Sequence, residues 1–236
     1  YSVKSAARSA IGMAEMLAHE IKNPLAGITG AAQLLSMGLK GEDLELTDLI
    51  VAESRRIVAL LDQVETFGNQ RPPQRNVLNI HDLLDRACAS ASVGFGASMH
   101  FTKQYDPSLP HTFVDGDQML QVFLNLMRNA SEASNKKKGL LTVRTFYDTA
   151  LRLRRADGTG AALPLQVEIE DDGPGLPDEI ASNIFEPFVS GRDNGTGLGL
   201  ALVSKIIAAH DGWITVSSVP GRTVFRLSLP VASNKE

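Results

Sequence analysis

The chain has 236 residues, 43% hydrophobic and 21% charged, with a formal net charge of −4 at neutral pH. That balance supplies a core for one large or two modest domains, and it excludes a nucleic-acid binder held by bulk phosphate neutralisation. Cys88 is the only cysteine, which excludes an internal disulfide and a cysteine metal cluster and suits a reducing, cytoplasmic compartment.

No stretch approaches the roughly 20 apolar residues that cross a bilayer and no signal peptide is visible, so no membrane segment is expected. The sequence begins at Tyr1 rather than Met, as expected of a fragment, from which any upstream sensory or membrane region would be missing. Apolar or small residues recur every seven positions along two lines, Ile11–Ala18–Leu25–Ala32 and Ala14–Ile21–Ile28–Leu35. They predict a long helix with a packing seam, ended by Gly38 and Gly41. A second helix carries Ile50, Ile57 and Val64 on one line and Leu46, Leu60 and Phe67 on another, the latter interrupted by Glu53. A hairpin this narrow cannot bury both seams alone, so a homodimer forming a four-helix bundle is expected.

His19 follows seam residue Ala18, at the flank of the first helix, with Glu20 beside it and Asn23 one turn on. Pro24 lacks an N–H and clashes with the Glu20 carbonyl, a cost of roughly 3 kcal/mol inside a helix. It either bends the helix so that the bundle closes or loosens it at the histidine for a purpose. Alone, the segment leaves a catalytic histidine and an ordinary surface histidine equally open.

From Phe67 to Gln74 the helical period is lost, ending in Pro72-Pro73. This divides the chain into a helical hairpin over 1–70, a linker over 71–76 and a second domain over 77–232. The second domain reads as a strand at Val77–Ile80, a helix from His81, a strand at Met99–Thr102 and a helix from about Asp115 to Ser134. Strands follow at Leu140–Tyr147 and Leu165–Glu170; the stretch between them, with Arg152, Arg154, Arg155 and Asp157-Gly158, reads as an exposed hairpin extension. A short helix at Ile180–Phe185, a longer one at Leu198–His210 and strands at Trp213–Ser217 and Val224–Leu229 complete it. The fold class is α+β: a helical hairpin, then an α/β sandwich whose mixed sheet is covered by helices on one face.

Three segments of this domain suit a nucleotide. Asn125 and Asn129 share one helix face, each offering an uncharged oxygen to a hard cation or its water. A carboxylate in Glu170-Asp171-Asp172-Gly173-Pro174-Gly175 can accept from an exocyclic amine, and the glycines let backbone approach a flat ring. Asn194-Gly195-Thr196-Gly197-Leu198-Gly199 leads into a helix whose first N–H groups favour phosphate oxygens. Each motif alone is common, and neither a Walker loop nor Rossmann spacing is present. Lys136, Lys137 and Lys138 either touch phosphate or form a solvated charge run.

In this order the three motifs resemble the Bergerat, or GHKL-type, ATP-binding domain of two-component sensor histidine kinases. His19-Glu20-Ile21-Lys22-Asn23-Pro24 matches that family's phosphoacceptor segment, and the resemblance, from about Ala10 to Pro230, is strongest to nitrogen-regulation (NtrB-type) sensors. It implies that His19 is phosphorylated from ATP, that Glu20 orients the ring and takes its proton, and that Asn23 helps hold the water that dephosphorylates the regulator. It further implies Mg²⁺ on Asn129 with Asn125 beside it, adenine on Asp171, Gly173 and Gly175, and phosphates on Gly195, Thr196, Gly197, Leu198 and Gly199. Phe185 and Phe188 match the aromatic segment before a lid at 190–196, mobile without nucleotide; simple core packing explains them equally well. The implied partners are a second copy, a response regulator receiver domain and a PII-type signalling protein. A scaffold whose pocket only switches conformation and an ATP hydrolase of the same superfamily are the other readings. Intact His19, Asn129 and Asp171 weigh against the scaffold.

Overall fold

The computed structural model describes residues 2–134, 138–150, 152–154, 160–192 and 195–232, with backbone alone for 2–17, 152–154 and 160–161. Lys136, Lys137, Arg155, Asp157, Gly158 and Asn194 lie outside the described residues, and Ile11 and Ala14 lie where only backbone is described. The chain divides into two units, Tyr1–Arg71 and Pro72–Glu236. Among the described residues no helix is long and apolar enough to cross a membrane.

The first unit is a hairpin of α1 (Ser2–Ser36) and α2 (Glu42–Gly68), turned at Gly41 with φ 62°. Pro24 lies inside α1 without ending it. One line of the α1 seam, Ala18–Leu25–Ala32, is buried, while Ile21, Ile28 and Leu35 on the other are exposed. The α2 seam differs from the expected one. Its buried positions are Thr47, Ser54 and Phe67, whereas Leu46, Ile50 and Ile57 face outward. Thr47 can be buried because its hydroxyl donates to the Leu44 carbonyl of its own helix at 2.8 Å, and a search for apolar periodicity passes over such satisfied polar residues.

The second unit comprises β1 (Asn76–Leu78), α3 (Ile80–Val93), β2 (Met99–Gln104), β3 (Thr112–Val114), α4 (Gly116–Ala133) and β4 (Gly139–Tyr147). Then come β5 (Arg152–Arg154), β6 (Gly160–Ala162), β7 (Leu165–Asp171), α5 (Asp178–Ala181), α6 (Gly199–Ala209), β8 (Trp213–Val219) and β9 (Arg222–Leu229). The main sheet runs β2-β4-β7-β9-β8, with β2 and β4 parallel and the other pairs antiparallel. Its core is Phe123, Leu126 and Met127 of α4 with Ile206 and Ile207 of α6 and Ile169 of β7. β5 and β6 form the antiparallel extension between β4 and β7.

Three elements depart from expectation. Ile80 belongs to α3 rather than a strand, because the Asn79 side chain caps that helix by accepting the His81 N–H at 3.0 Å. β3 is an unanticipated strand that pairs with β1. The helix expected over Ile180–Phe185 is only α5, with turns after it and Phe188 at φ 68°.

A buried network fixes where α4 and α6 begin and end. Asp115 caps α4, accepting the N–H groups of Asp117 and Gln118, both at 3.1 Å, while its other oxygen accepts the Gln74 N–H at 2.7 Å. The Asp115 N–H donates to His210 Nε2 at 3.0 Å, and His210 Nδ1 lies 2.8 Å from the Ile206 carbonyl. That geometry assigns the proton to Nδ1, and burial pushes the His210 pKa down, keeping the ring neutral. The start of the asparagine helix is thereby tied to the end of the glycine-led helix.

Candidate functional site

The three nucleotide motifs converge around α4. Asn125 Nδ2 donates to the Gln121 carbonyl at 2.9 Å, and Asn125 Oδ1 lies 3.4 Å from where a Cβ on Gly199 would stand. Asn129, half-buried on the same face, accepts Arg192 Nη2 on its backbone carbonyl at 2.7 Å. Arg192 also pairs through Nη1 with Glu132, so that carboxylate holds the segment before the glycine run onto α4. A Cβ on Gly173 would stand 3.3 Å from the Ala133 side chain and 2.7 Å from Asp171 Oδ1. No local pattern in the sequence announces the Arg192–Glu132 pair, which joins segments far apart in the chain.

Asp171 ends β7 with only 5% of its surface exposed. Oδ1 accepts the Gly173 N–H at 2.9 Å. Burial pushes its pKa up to about 6, against the pull of the Gly173 hydrogen bond. Gly175 packs on the β8–β9 turn, and the Gly221 N–H donates to the Gly173 carbonyl at 2.9 Å. Gly197 has φ 66°, and a Cβ there would lie 2.5 Å from the Phe188 carbonyl carbon. Its carbonyl accepts the Phe188 N–H at 3.2 Å, closing the loop that carries Gly195 and Thr196. Thr196 Oγ1 accepts the Leu198 N–H at 3.4 Å, and Leu198 is buried. Gly197→Ala should therefore distort this loop and weaken nucleotide binding by about tenfold or more, read by titration with a fluorescent nucleotide while circular dichroism stays unchanged.

This donor set fits ATP: a buried carboxylate for an amine, two uncharged amide oxygens, and N–H groups opening α6. Among the described residues no cluster of three or more His, Cys, Asp or Glu could hold a metal.

In the helical unit, His19 exposes 79% of its side chain, and Glu20 and Asn23 are exposed too. The carboxylate paired with the ring is that of Glu65 on α2, whose Oε1 lies 3.5 Å from His19 Nε2, and not that of Glu20. Lys22 Nζ lies 2.6 Å from both Glu65 Oε2 and Asp62 Oδ1, which holds its pKa above the usual lysine value. Phe185 packs edge-on against Phe225, with ring centroids 6.4 Å apart, whereas Phe188 is exposed. Lys138 is exposed.

Residues 114–233 match the family of histidine kinase-, DNA gyrase B- and HSP90-like ATPases, and residues 11–72 match the His Kinase A (phospho-acceptor) domain. The chain belongs to the histidine kinase family. Within it, the chain is 74% identical over 230 residues to the sensory histidine kinase/phosphatase NtrB of Rhodobacter capsulatus, covering 98% of this chain and 64% of that protein. It is 47% identical over 229 residues to the NtrB of Azospirillum brasilense, covering 97% and 57%. The chain thus spans about three fifths of the length of these curated relatives. Its fold is similar to that of full-length ShkA in complex with AMPPNP, with TM-score 0.68 at 23% identity over 94% of this chain and 47% of that one. It is also similar to the Acinetobacter baumannii histidine kinase AdeS, with TM-score 0.60 at 20% identity over 91% and 98%. An ATP-binding α/β domain preceded by a phosphoacceptor hairpin is the arrangement this histidine kinase family shares with the chain.

Proposed function

We propose that this chain is the kinase and phosphatase part of a nitrogen-regulation sensor: it phosphorylates His19 from ATP and passes the phosphoryl group to an aspartate of a response regulator. The observation that carries this reading is the convergence of the asparagine, aspartate and glycine motifs around α4. Asp171 accepts the adenine amine, with Gly173 and Gly175 beside the base. Gly195, Thr196, Gly197, Leu198 and Gly199 surround the phosphates, and Asn129 and Asn125 hold Mg²⁺ by their amide oxygens. A bound Mg²⁺ would neutralise charge on the triphosphate. His19 supplies the attacking ring nitrogen, Glu20 its base and Asn23 the position for a hydrolytic water.

The hairpin serves a homodimer. Ile21 and Ile28 of α1 and Ile50 and Ile57 of α2 are exposed apolar residues, which a second copy covers in a four-helix bundle. Ile28→Asp should convert the dimer to monomer, read by light scattering; an unchanged mass would reject this interface. The remaining partners are a receiver domain and a PII-type signalling protein, and buried Cys88 supports a reducing, cytoplasmic setting.

The functional test is transfer. Protein labelled with ATP and freed of nucleotide is mixed with an isolated receiver domain from a nitrogen-regulation response regulator. The label should move to the receiver; label that stays on this chain, or that never forms, rejects the reading.

A further inference from the structure

Glu65 turns its carboxylate from α2 onto α1. Oε2 accepts from Lys22 Nζ at 2.6 Å, and the same ammonium lies 2.6 Å from Asp62. Oε1 is shielded from water and has no hydrogen-bond partner, the one buried side-chain oxygen or nitrogen so placed among the described residues. A buried acceptor without a donor is costly, and His19 Nε2, 3.5 Å away, is the ion-pair partner facing it. Lys22 is committed to the other oxygen and to Asp62, so it fixes the carboxylate without satisfying Oε1. A carboxylate held this way discriminates between forms of the ring. It attracts an Nε2–H, whereas the alternative tautomer sets the Nε2 lone pair against the lone pairs of Oε1.

We infer that Glu65 is a positioning residue for His19, holding the unphosphorylated ring through its Nε2–H. This rests on the reading of His19 as the phosphoacceptor. Nε2 is the ring nitrogen that faces Oε1, on a side chain 79% exposed, and it is taken as the nitrogen that attacks the phosphate. With its proton there, Nε2 has no lone pair to offer. Glu65 therefore restrains phosphorylation until the ring leaves it, and Lys22 sets the strength of that restraint.

The test uses the whole chain, labelled with ¹⁵N in its histidines, in the absence of nucleotide. Long-range proton–nitrogen spectra above pH 8 report each ring's tautomer, with His19 assigned by the signal missing from His19→Gln. The wild type should show the Nε2–H pattern at His19, and Glu65→Ala should shift it toward a mixture of tautomers. The initial rate of autophosphorylation should rise about threefold in Glu65→Ala, the size of effect a partly exposed pair exerts, with KM for ATP unchanged. Lys22→Met, which keeps the apolar stem, should move both readouts in the same direction by less. An identical tautomer balance in wild type and Glu65→Ala, or slower phosphorylation in the variant, would overturn the assignment. Absence of any labelling in the wild type would reject the kinase reading instead, and the spectra, which need no ATP, would still decide the role of Glu65.

Discussion

His19→Gln is expected to abolish incorporation of phosphate from ATP, a fall of more than about a thousandfold, while nucleotide affinity stays within about twofold of the wild type. Glutamine keeps a polar side chain of similar reach but has no nucleophilic lone pair at the end of the chain. The substitution sits on α1, an exposed position outside the nucleotide motifs, so folding should survive. Filter-retained label and a fluorescent-nucleotide titration on the same preparation separate the two quantities. Loss of both would mean that His19 acts through folding rather than chemistry. Steady phosphate release that persists in the variant would favour the ATP hydrolase reading.

Asp171→Asn is expected to cost about a hundredfold in nucleotide affinity. Oδ1 of Asp171 is already occupied by the Gly173 N–H at 2.9 Å, so in the proposed site the second oxygen is the one left to accept the adenine amine. In the variant that second atom becomes an NH₂ group, which sets donor against donor. The same substitution should stabilise the empty domain. The folded-state pKa is raised to about 6, so the folded form binds the proton more tightly than the unfolded chain does. The buried anion therefore costs nothing below the unfolded value near 4, progressively more up to 6, and on the order of 3 kcal/mol above that. Thermal unfolding of Asp171→Asn at pH 8 should occur several degrees above the wild type, with the difference vanishing near pH 4. Nucleotide binding follows the opposite sign: only ionised Asp171 accepts the amine, so wild-type affinity should fall about tenfold between pH 7 and pH 5. A variant that binds nucleotide normally would place the adenine elsewhere.

The parts of the molecule that were legible in the sequence are those that repeat or cluster locally. The Ala18–Leu25–Ala32 line and the three nucleotide motifs are short-range patterns, as are the strand runs and the turn-bearing stretch from which the mixed sheet and the extension between β4 and β7 are read. What escaped detection depends on residues distant in sequence or on polar groups satisfied in place. The buried line of α2 includes Thr47 and Ser54, invisible to apolar periodicity. Strand β3 owes its existence to pairing with β1 rather than to its own three residues. The helix expected at Ile180–Phe185 gives way to turns just before Phe188 takes positive φ. Glu65 and Arg192 acquire their neighbours only when α2 folds onto α1 and the glycine loop onto α4. Nothing in the residues flanking either one announces this. Glu20, by contrast, stands next to the histidine in sequence, yet the ring's ion-pair partner is Glu65, because adjacent helix positions point about 100° apart.

The most direct measurement locates the phosphate itself. The wild-type chain is incubated with Mg²⁺ and γ-labelled ATP, quenched, and digested at alkaline pH, and the labelled peptide is sequenced by mass spectrometry. Label that is stable in alkali, lost in acid and confined to His19 is the expected result. Label on a hydroxyl residue or on another histidine, or ATP turnover that leaves the protein unlabelled, would contradict it.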